Sequence, residues 1–256
     1  MSETEPNPWL SRLRQVHARI DAAARQAGRD PASVRLLAVS KTFPAEAVAA
    51  LAACGQRDFG ENYVQEGAAK IAALRSTGAP LRWHFIGPLQ SNKTREVAEQ
   101  FDWVHGVDRL RLAQRLSAQR PAERDGHPLA PLQVCIQVNI SGEASKSGVA
   151  PEAVAELAHA VAGLPHLRLR GLMCIPAPAE GLQEQRAPFA RLRRLLAELK
   201  RQGLALDTLS MGMSADLEAA VLEGATIVRV GTALFGSRPP LRGTDAKGPG
   251  GANGRG

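Results

Sequence analysis

At 256 residues the chain can form one large domain or two small ones, and 44% hydrophobic against 22% charged residues is the composition of an ordinary globular protein with a sizeable core. No apolar run approaches the roughly eighteen residues a membrane-spanning helix needs, and the acidic, polar start Met1–Pro6 lacks the character of a secretory signal. A net charge of +7 invites a nucleic-acid reading, but the arginines are scattered over helical faces and aromatic residues make up only 4%, so base stacking has little material and nucleic-acid binding is set aside.

Cys54, Cys135 and Cys174 are widely spaced in apolar contexts. They form neither a disulfide framework nor a metal-ligand pair, and are expected to be reduced core residues of a cytoplasmic protein.

The spacing of Trp9, Leu10, Leu13, Val16, Ile20 and Ala24 predicts a helix over 9–27, stopped by Gly28. Leu36 to Thr42 is a short aliphatic block closed by Pro44, which reads as a buried strand ending near Lys41. Pro44 opens a short helix through Leu51, ended by Gly55. The same alternation then repeats along the chain. Strands are expected at 58–62, 81–87, 102–107, 132–140, 167–175, 208–213 and 226–232. Helices are expected at 63–74, 94–100, about 109–119 with Asp108 as cap, 151–164, 184–202, and 215–222 with Ser214 as cap. Eight strand–helix units predict a single (β/α)8 TIM barrel over residues 1–238, with an extra helix first and no long helix last. A doubly wound open sheet is the alternative, disfavoured because no Gly-rich turn follows the first strand. The tail over 239–256 is rich in glycine and nearly free of apolar residues, and is expected to be disordered.

In such barrels, functional groups sit at the C-terminal ends of the strands, and phosphates often bind after strands seven and eight. Lys41 falls at the end of strand one. It is either the first solvated residue after a strand or an amine held at the barrel mouth to form an imine. Ser210-Met211-Gly212-Met213-Ser214 leaves strand seven, with a glycine for close backbone approach and a serine hydroxyl beside a helix start. Arg229-Val230-Gly231-Thr232 ends strand eight with a cation, a small residue and a hydroxyl. Taken singly these residues read as a cap, turn glycines and a snorkelling arginine. Taken together with Lys41 they place an amine, a phosphate cradle and an arginine on one rim, the set that pyridoxal phosphate (PLP) needs.

Six stretches in unbroken order over roughly residues 10 to 238 carry a resemblance to a known family. They are Ala38-Val39-Ser40-Lys41-Thr42, Phe59 through Glu66, Trp83 through Lys93, Ser145-Lys146-Ser147-Gly148, Leu209 through Ser214, and Val228 through Thr232. The chain resembles the pyridoxal phosphate homeostasis protein family, whose barrel is shared with alanine racemases and other fold-type III enzymes. The resemblance implies PLP held as a covalent aldimine on Lys41. It implies that Ser210, Ser214, Gly231 and Thr232 hold the phosphate within a loop that includes Met211 and Gly212, and that Arg229 faces the pyridine nitrogen. It also places Asn62 and His84 near the cofactor.

Removal and return of an α-proton on opposite faces needs a second acid/base, usually a tyrosine in alanine racemases. The only tyrosine here is Tyr63, on the helix after strand two. An arginine at the ring nitrogen also makes the ring a weaker electron sink. The expectation is therefore a non-catalytic, monomeric PLP carrier that stores the cofactor or delivers it to apo PLP-dependent enzymes, with a PLP-dependent amino-acid racemase as the alternative. A nucleotide enzyme is a third reading, because Gly87 to Thr94 looks like a phosphate loop, but Asn92 stands where glycine is required before the lysine. His105 is a candidate supporting residue at the end of strand four, and Lys146 is either a mobile surface lysine or a group that meets the aldehyde. No metal site is expected.

Overall fold

The computed structural model describes residues 7–124, 126–143 and 147–236. Lys146 and the 239–256 tail lie outside the described residues. Helix α1 (Pro8–Gln26) begins with a proline in its first turn and is capped by Asn7, whose side-chain oxygen accepts from the amides of Trp9 and Leu10.

In chain order there follow β1 (Arg35–Val39), α2 (Ala45–Ala53), β2 (Asp58–Glu61), α3 (Val64–Leu74), β3 (Arg82–Phe85), α4 (Thr94–Gln100), β4 (Trp103–Val107) and α5 (Leu110–Gln119). A two-residue antiparallel ribbon, β5 (Glu123–Arg124) with β6 (His127–Pro128), fills part of the next connection. The pattern resumes with β7 (Leu132–Gln137), α6 (Val154–Ala162), β8 (Leu167–Met173), α7 (Leu182–Arg201), β9 (Thr208–Ser210), α8 (Leu217–Leu222), β10 (Ile227–Val230) and the short α9 (Thr232–Phe235).

Leaving the ribbon aside, eight parallel strands pair with their neighbours in chain order and close as β1-β10-β9-β8-β7-β4-β3-β2. This is the expected (β/α)8 barrel. Closure rests on β1 lying between β2 and β10, with Leu37 opposite Arg229, Ala38 opposite Val230 and Val39 opposite Gly60.

Most strands are shorter than their apolar runs. Pairing stops at Val39, Gln137, Met173, Ser210 and Val230, where the backbone leaves the sheet for the loops of the C-terminal rim. That leaves Lys41, Met213, Ser214, Gly231 and Thr232 in or beside loops.

Two expected caps are not made. Asp108 pairs instead with the guanidinium of Arg109, the residue at the cap position of α5, which starts at Leu110. Ser214 lies too early for α8, which starts at Leu217 after Asp216, and the Asp216 carboxylate turns back to accept from the Met213 amide.

The apolar core has two parts. A large cluster that includes Phe59, Phe85, Phe101, Leu116 and Phe189 packs the helices onto the strands. A small separate one, Leu37, Trp103, Cys135, Met173 and Ile227, draws one residue from each of five strands and fills the barrel interior. Helix α1 packs on α8 and α9, the flank where the final helices are short, and Arg19 forks onto Glu218 at 2.7 and 2.9 Å to fix it there.

One glycine shapes the rim directly. A Cβ on Gly87 would lie 2.2 Å from the carbonyl oxygen of Asn62, so the loop after β3 can pass the Asn62 backbone only without a side chain. A Cβ on Gly163, near the end of α6, meets nothing closer than 3.8 Å. Urea unfolding is expected to show Gly87→Ala destabilised by about 1–3 kcal/mol or more, with Gly163→Ala within about 0.5 kcal/mol of the parent.

Candidate functional site

A cavity of about 300 Å³ opens at the C-terminal end of the barrel, lined by Val39, Lys41, Phe43, Asn62, Ile86, Ile175, Met213, Ser214, Ala215, Arg229, Gly231 and Thr232. That volume suits a small organic ligand. A larger hollow of about 540 Å³, lined by Arg191, Arg194 and Arg201 of α7 with Ile140 and Pro151 beside them, is an open groove on the outer helical layer.

The cavity gathers residues from opposite ends of the chain because β1 and β10 are neighbours. Lys41 enters from the turn after β1, and Gly231 and Thr232 from the junction of β10 with α9, where the first amides of a helix have no intrahelical acceptor. Ser214 comes from the loop between β9 and α8. That loop is held from outside by Arg19, which donates to the Ser214 carbonyl at 2.9 Å, and from within by the Met213 amide, which donates to Asp216 at 2.6 Å. Gly212 within it has a φ of +90°, and a Cβ there would lie 2.4 Å from the Cβ of Ala220, so glycine is required.

Arg229 is the cation of the cavity floor, only 4% exposed. Its terminal nitrogens donate to the Ser210 carbonyl (2.7 Å), the Ser210 hydroxyl (2.8 Å) and the Cys174 carbonyl (2.9 Å). Burial lowers its pKa from the ordinary arginine value, but an arginine keeps its charge in a protein.

Below Arg229 a chain of side chains crosses the barrel interior. The Ser210 hydroxyl meets His105 Nδ1 at 2.8 Å, His105 Nε2 meets His84 Nδ1 at 2.9 Å, and His84 Nε2 meets Asp58 Oδ1 at 3.0 Å. Full burial favours the neutral form of both imidazoles. Ionised Asp58 only accepts, so with neutral rings His84 donates to Asp58, His105 to His84 and the serine to His105, which places the proton of each ring on Nε2. Burial pushes both histidines down, and His105 furthest, with the charges of His84 and Arg229 adding to the effect. Burial alone pushes the Asp58 carboxyl up, but His84 and Arg82 outweigh it and hold it below the usual range.

Residues 12–239 match the model of the alanine racemase N-terminal domain. A pyridoxal phosphate homeostasis protein of Pseudomonas aeruginosa is 64% identical over 226 residues, covering 88% of this chain and 94% of that one. Its counterpart from Escherichia coli K12 is 56% identical over 233 residues, covering 91% and 97%. The chain belongs to the pyridoxal phosphate homeostasis protein family. Among solved structures, PipY of Synechococcus elongatus with PLP bound is 41% identical with a TM-score of 0.71, covering 85% of this chain and all of that one.

Within this family member, the residues singled out from sequence fall into two groups. Lys41, Asn62, Ser214, Arg229, Gly231 and Thr232 line the cavity. Ser210, Met211, Gly212 and His84 do not. Ser210 is fully buried with its hydroxyl engaged by Arg229 and His105, Met211 packs into the outer core, and Gly212 packs on α8. His84 lies two hydrogen bonds below Ser210, stacked on Trp103 at 5.3 Å. The phosphate-loop lookalike is not a cradle: the Thr94 hydroxyl donates to the Ser91 carbonyl and Arg115 bonds back to both residues. Cys135 and Cys174 are buried free thiols pushed up to about 12 by burial, which leaves no thiolate at neutral pH.

Asp58, which anchors the relay, went unmarked by sequence reasoning, as did Arg19 and Asp216. A carboxylate at the start of a strand otherwise built of buried residues was the available signal for Asp58.

The relay gives the fold a pH dependence of defined sign. Both histidines have folded pKa values below the free value of 6.5, so below that pH the unfolded chain binds protons that the folded chain refuses. Stability therefore rises with pH through this window and is lost as pH falls below about 6.5, by up to about 1.4 kcal/mol per pH unit for each histidine. Urea unfolding at pH 7.5, 6.5 and 5.5 is expected to show this slope reduced in His84→Gln and His105→Gln. A slope unchanged by both substitutions contradicts the assigned protonation.

Proposed function

We propose that this chain binds pyridoxal 5′-phosphate in the barrel-end cavity, through a Schiff base on Lys41, and serves intracellular PLP homeostasis by storing or delivering the cofactor. The carrying observation is that Lys41, Ser214, Arg229, Gly231 and Thr232, which carry an amine, two hydroxyls, a guanidinium and a side-chain-free backbone, line one cavity of about 300 Å³. The donor set suits a phosphorylated aldehyde. Asn62 adds a buried Oδ1 that has no hydrogen-bond partner and so can accept from a ligand.

When bound, PLP supplies an aldehyde carbon that condenses with a primary amine with loss of water. The residues of this chain do the rest. Ser214, Gly231 and Thr232 take the phosphate at the start of α9 and the end of the β9 loop. Arg229 presents a fixed positive charge to the pyridine ring, Ile86, Ile175 and Met213 give the cavity apolar walls, and Ser210 and His84 act on the ligand only through Arg229.

Among the residues lining the cavity, only Lys41 and Arg229 carry ionisable side chains, and arginine does not serve as a base at neutral pH. Tyr63 is 58% exposed at the start of α3 and is not in the lining. With one amine base and no second acid or base in the lining among the described residues, the reading is a carrier without substantial turnover, acting as a monomer in the cytoplasm on apo PLP-dependent enzymes. Resemblance to the named homeostasis proteins supports this reading, as does PLP in the PipY structure.

The purified protein loaded with PLP is expected to show a visible absorption band that borohydride abolishes, leaving a stable label on the peptide that contains Lys41. Lys41→Ala is expected to lose both band and label. Racemisation of alanine by the loaded protein should stay far below the roughly 1–10³ s⁻¹ of ordinary enzymes. Steady Lys41-dependent turnover in that range overturns the carrier reading.

A further inference from the structure

Lys70 is 5% exposed on α3, and lysine is almost never buried unless it is paired. Its ammonium donates to three oxygens: the Ser40 carbonyl at 2.6 Å, Glu61 Oε1 at 2.7 Å and Glu66 Oε1 at 2.6 Å. Those contacts saturate its three N–H donors with short, charge-assisted bonds.

The same two carboxylate oxygens reach the backbone turn on both sides of Lys41. Glu61 Oε1 accepts from the Ser40 hydroxyl at 2.6 Å, and Glu66 Oε1 accepts from the Thr42 amide at 2.5 Å. Residue 40 and residue 42 are thus tied to one buried cluster whose cation is Lys70. The turn between them is strained, because Thr42 has a φ of +69°, a conformation that branched side chains seldom adopt.

Lys70 is not in the lining of the barrel-end cavity; it lies on the outer side of the turn, where Thr42, Phe43 and Glu66 border a separate hollow. Whatever it does for the site, it does through residues 40 to 42.

We propose that Lys70 is a positioning residue for Lys41: with Glu61 and Glu66 it clamps the two residues flanking Lys41, holds Thr42 left-handed, and so sets where the Lys41 amine projects. The inference rests on Lys41 being the attachment point for PLP. Without the ammonium, Glu61, whose carboxyl burial already pushes up, keeps no cation and takes a proton. The Ser40 carbonyl then loses its donor, and the acceptor of the Thr42 amide is freed to move.

The test uses the full chain as Lys70→Met and Glu66→Gln, each measured in two ways. Without ligand, hydrogen exchange of the Thr42 amide reads the clamp itself, and is expected to quicken at least tenfold in Lys70→Met. With PLP, the affinity from absorbance titration is expected to fall at least tenfold, and the borohydride label to spread from Lys41 to other lysines. A variant weakened only in global stability keeps its label on Lys41. Should Lys70→Met fail to fold, Glu66→Gln, altered at a half-buried position, gives the same readings with smaller changes.

Unchanged Thr42 exchange overturns the proposal, and so does faster exchange with parental affinity and labelling. If the parent protein itself takes no label at Lys41, the PLP reading fails, while Thr42 exchange still decides whether Lys70 orders the turn.

Discussion

The parallel pairing of β1 with β10 is the contact on which the rest depends. Four residues in register, from Arg35 opposite Ile227 to Ala38 opposite Val230, join strands nearly two hundred positions apart. Bringing such distant segments together carries a loop-closure cost that local contacts do not offset. The return is geometric. Closure places the turn after β1 beside the start of α9, so Lys41 meets Gly231 and Thr232 across one seam. The seam is also tight: a Cβ on Gly231 would lie 3.3 Å from the Val39 carbonyl, so the residue that completes the cavity is one that lets the first and last strands approach. Helix α1 covers this flank and, through Arg19, also holds the Ser214 loop, so closure and site share a support.

Closure creates a second problem that the interior solves. A guanidinium at the cavity floor is shut away from water, and an unpaired buried charge costs several kcal/mol. Arg229 meets this with two carbonyls and a serine hydroxyl, and the serine hands the polarity on through two neutral imidazoles to Asp58. The chain is directional, each group donating toward the carboxylate, and its far end is neutralised by Arg82 at 2.6 Å and Arg35 at 3.9 Å. A cation thus sits under the cavity with its counter-charge across the barrel, fixed in orientation and without a carboxylate in the cavity lining.

The fold was legible because strands such as β1, β7 and β10 are short β-branched or aliphatic runs and a helical pattern follows each barrel strand in turn. Strand ends were less legible: residues such as Ile140, Ile175 and Met213 are apolar for reasons other than pairing, the last two because they wall the cavity. Lys41, Ser214, Gly231 and Thr232 could be found from sequence since their place just after a strand is itself the signal. Ser210 and His84 stand in equally suggestive motifs, but alternation along the strand turns them into the barrel interior, where their partners come from β2, β4 and β10. Lys70, Asp58 and Arg19 were illegible for the same reason. A lysine on a helix looks solvated until the two carboxylates that bury it are in place, and only the folded chain brings Glu61 to it.

These supports differ in kind, and the difference bears on function. The relay beneath Arg229 is rigid, interior and neutral at its centre. The cluster at Lys70 is ionic, lies at the outer edge of the barrel, and holds a turn that sterics alone disfavour. A cofactor that is only to be held needs its ring-side charge fixed, but it must also be able to leave. With Lys41, the proposed attachment point, beside a strained turn secured by carboxylates of which one is partly exposed, the constraint lies outside the barrel interior. An enzyme that cycled its lysine through proton transfers would need a second acid or base facing it. The cavity lining offers a fixed arginine, two hydroxyls, an amide and apolar walls instead. That composition supports the proposed reading of binding over chemistry, and under that reading the cluster around Lys41 is where the hold on the ligand would be set.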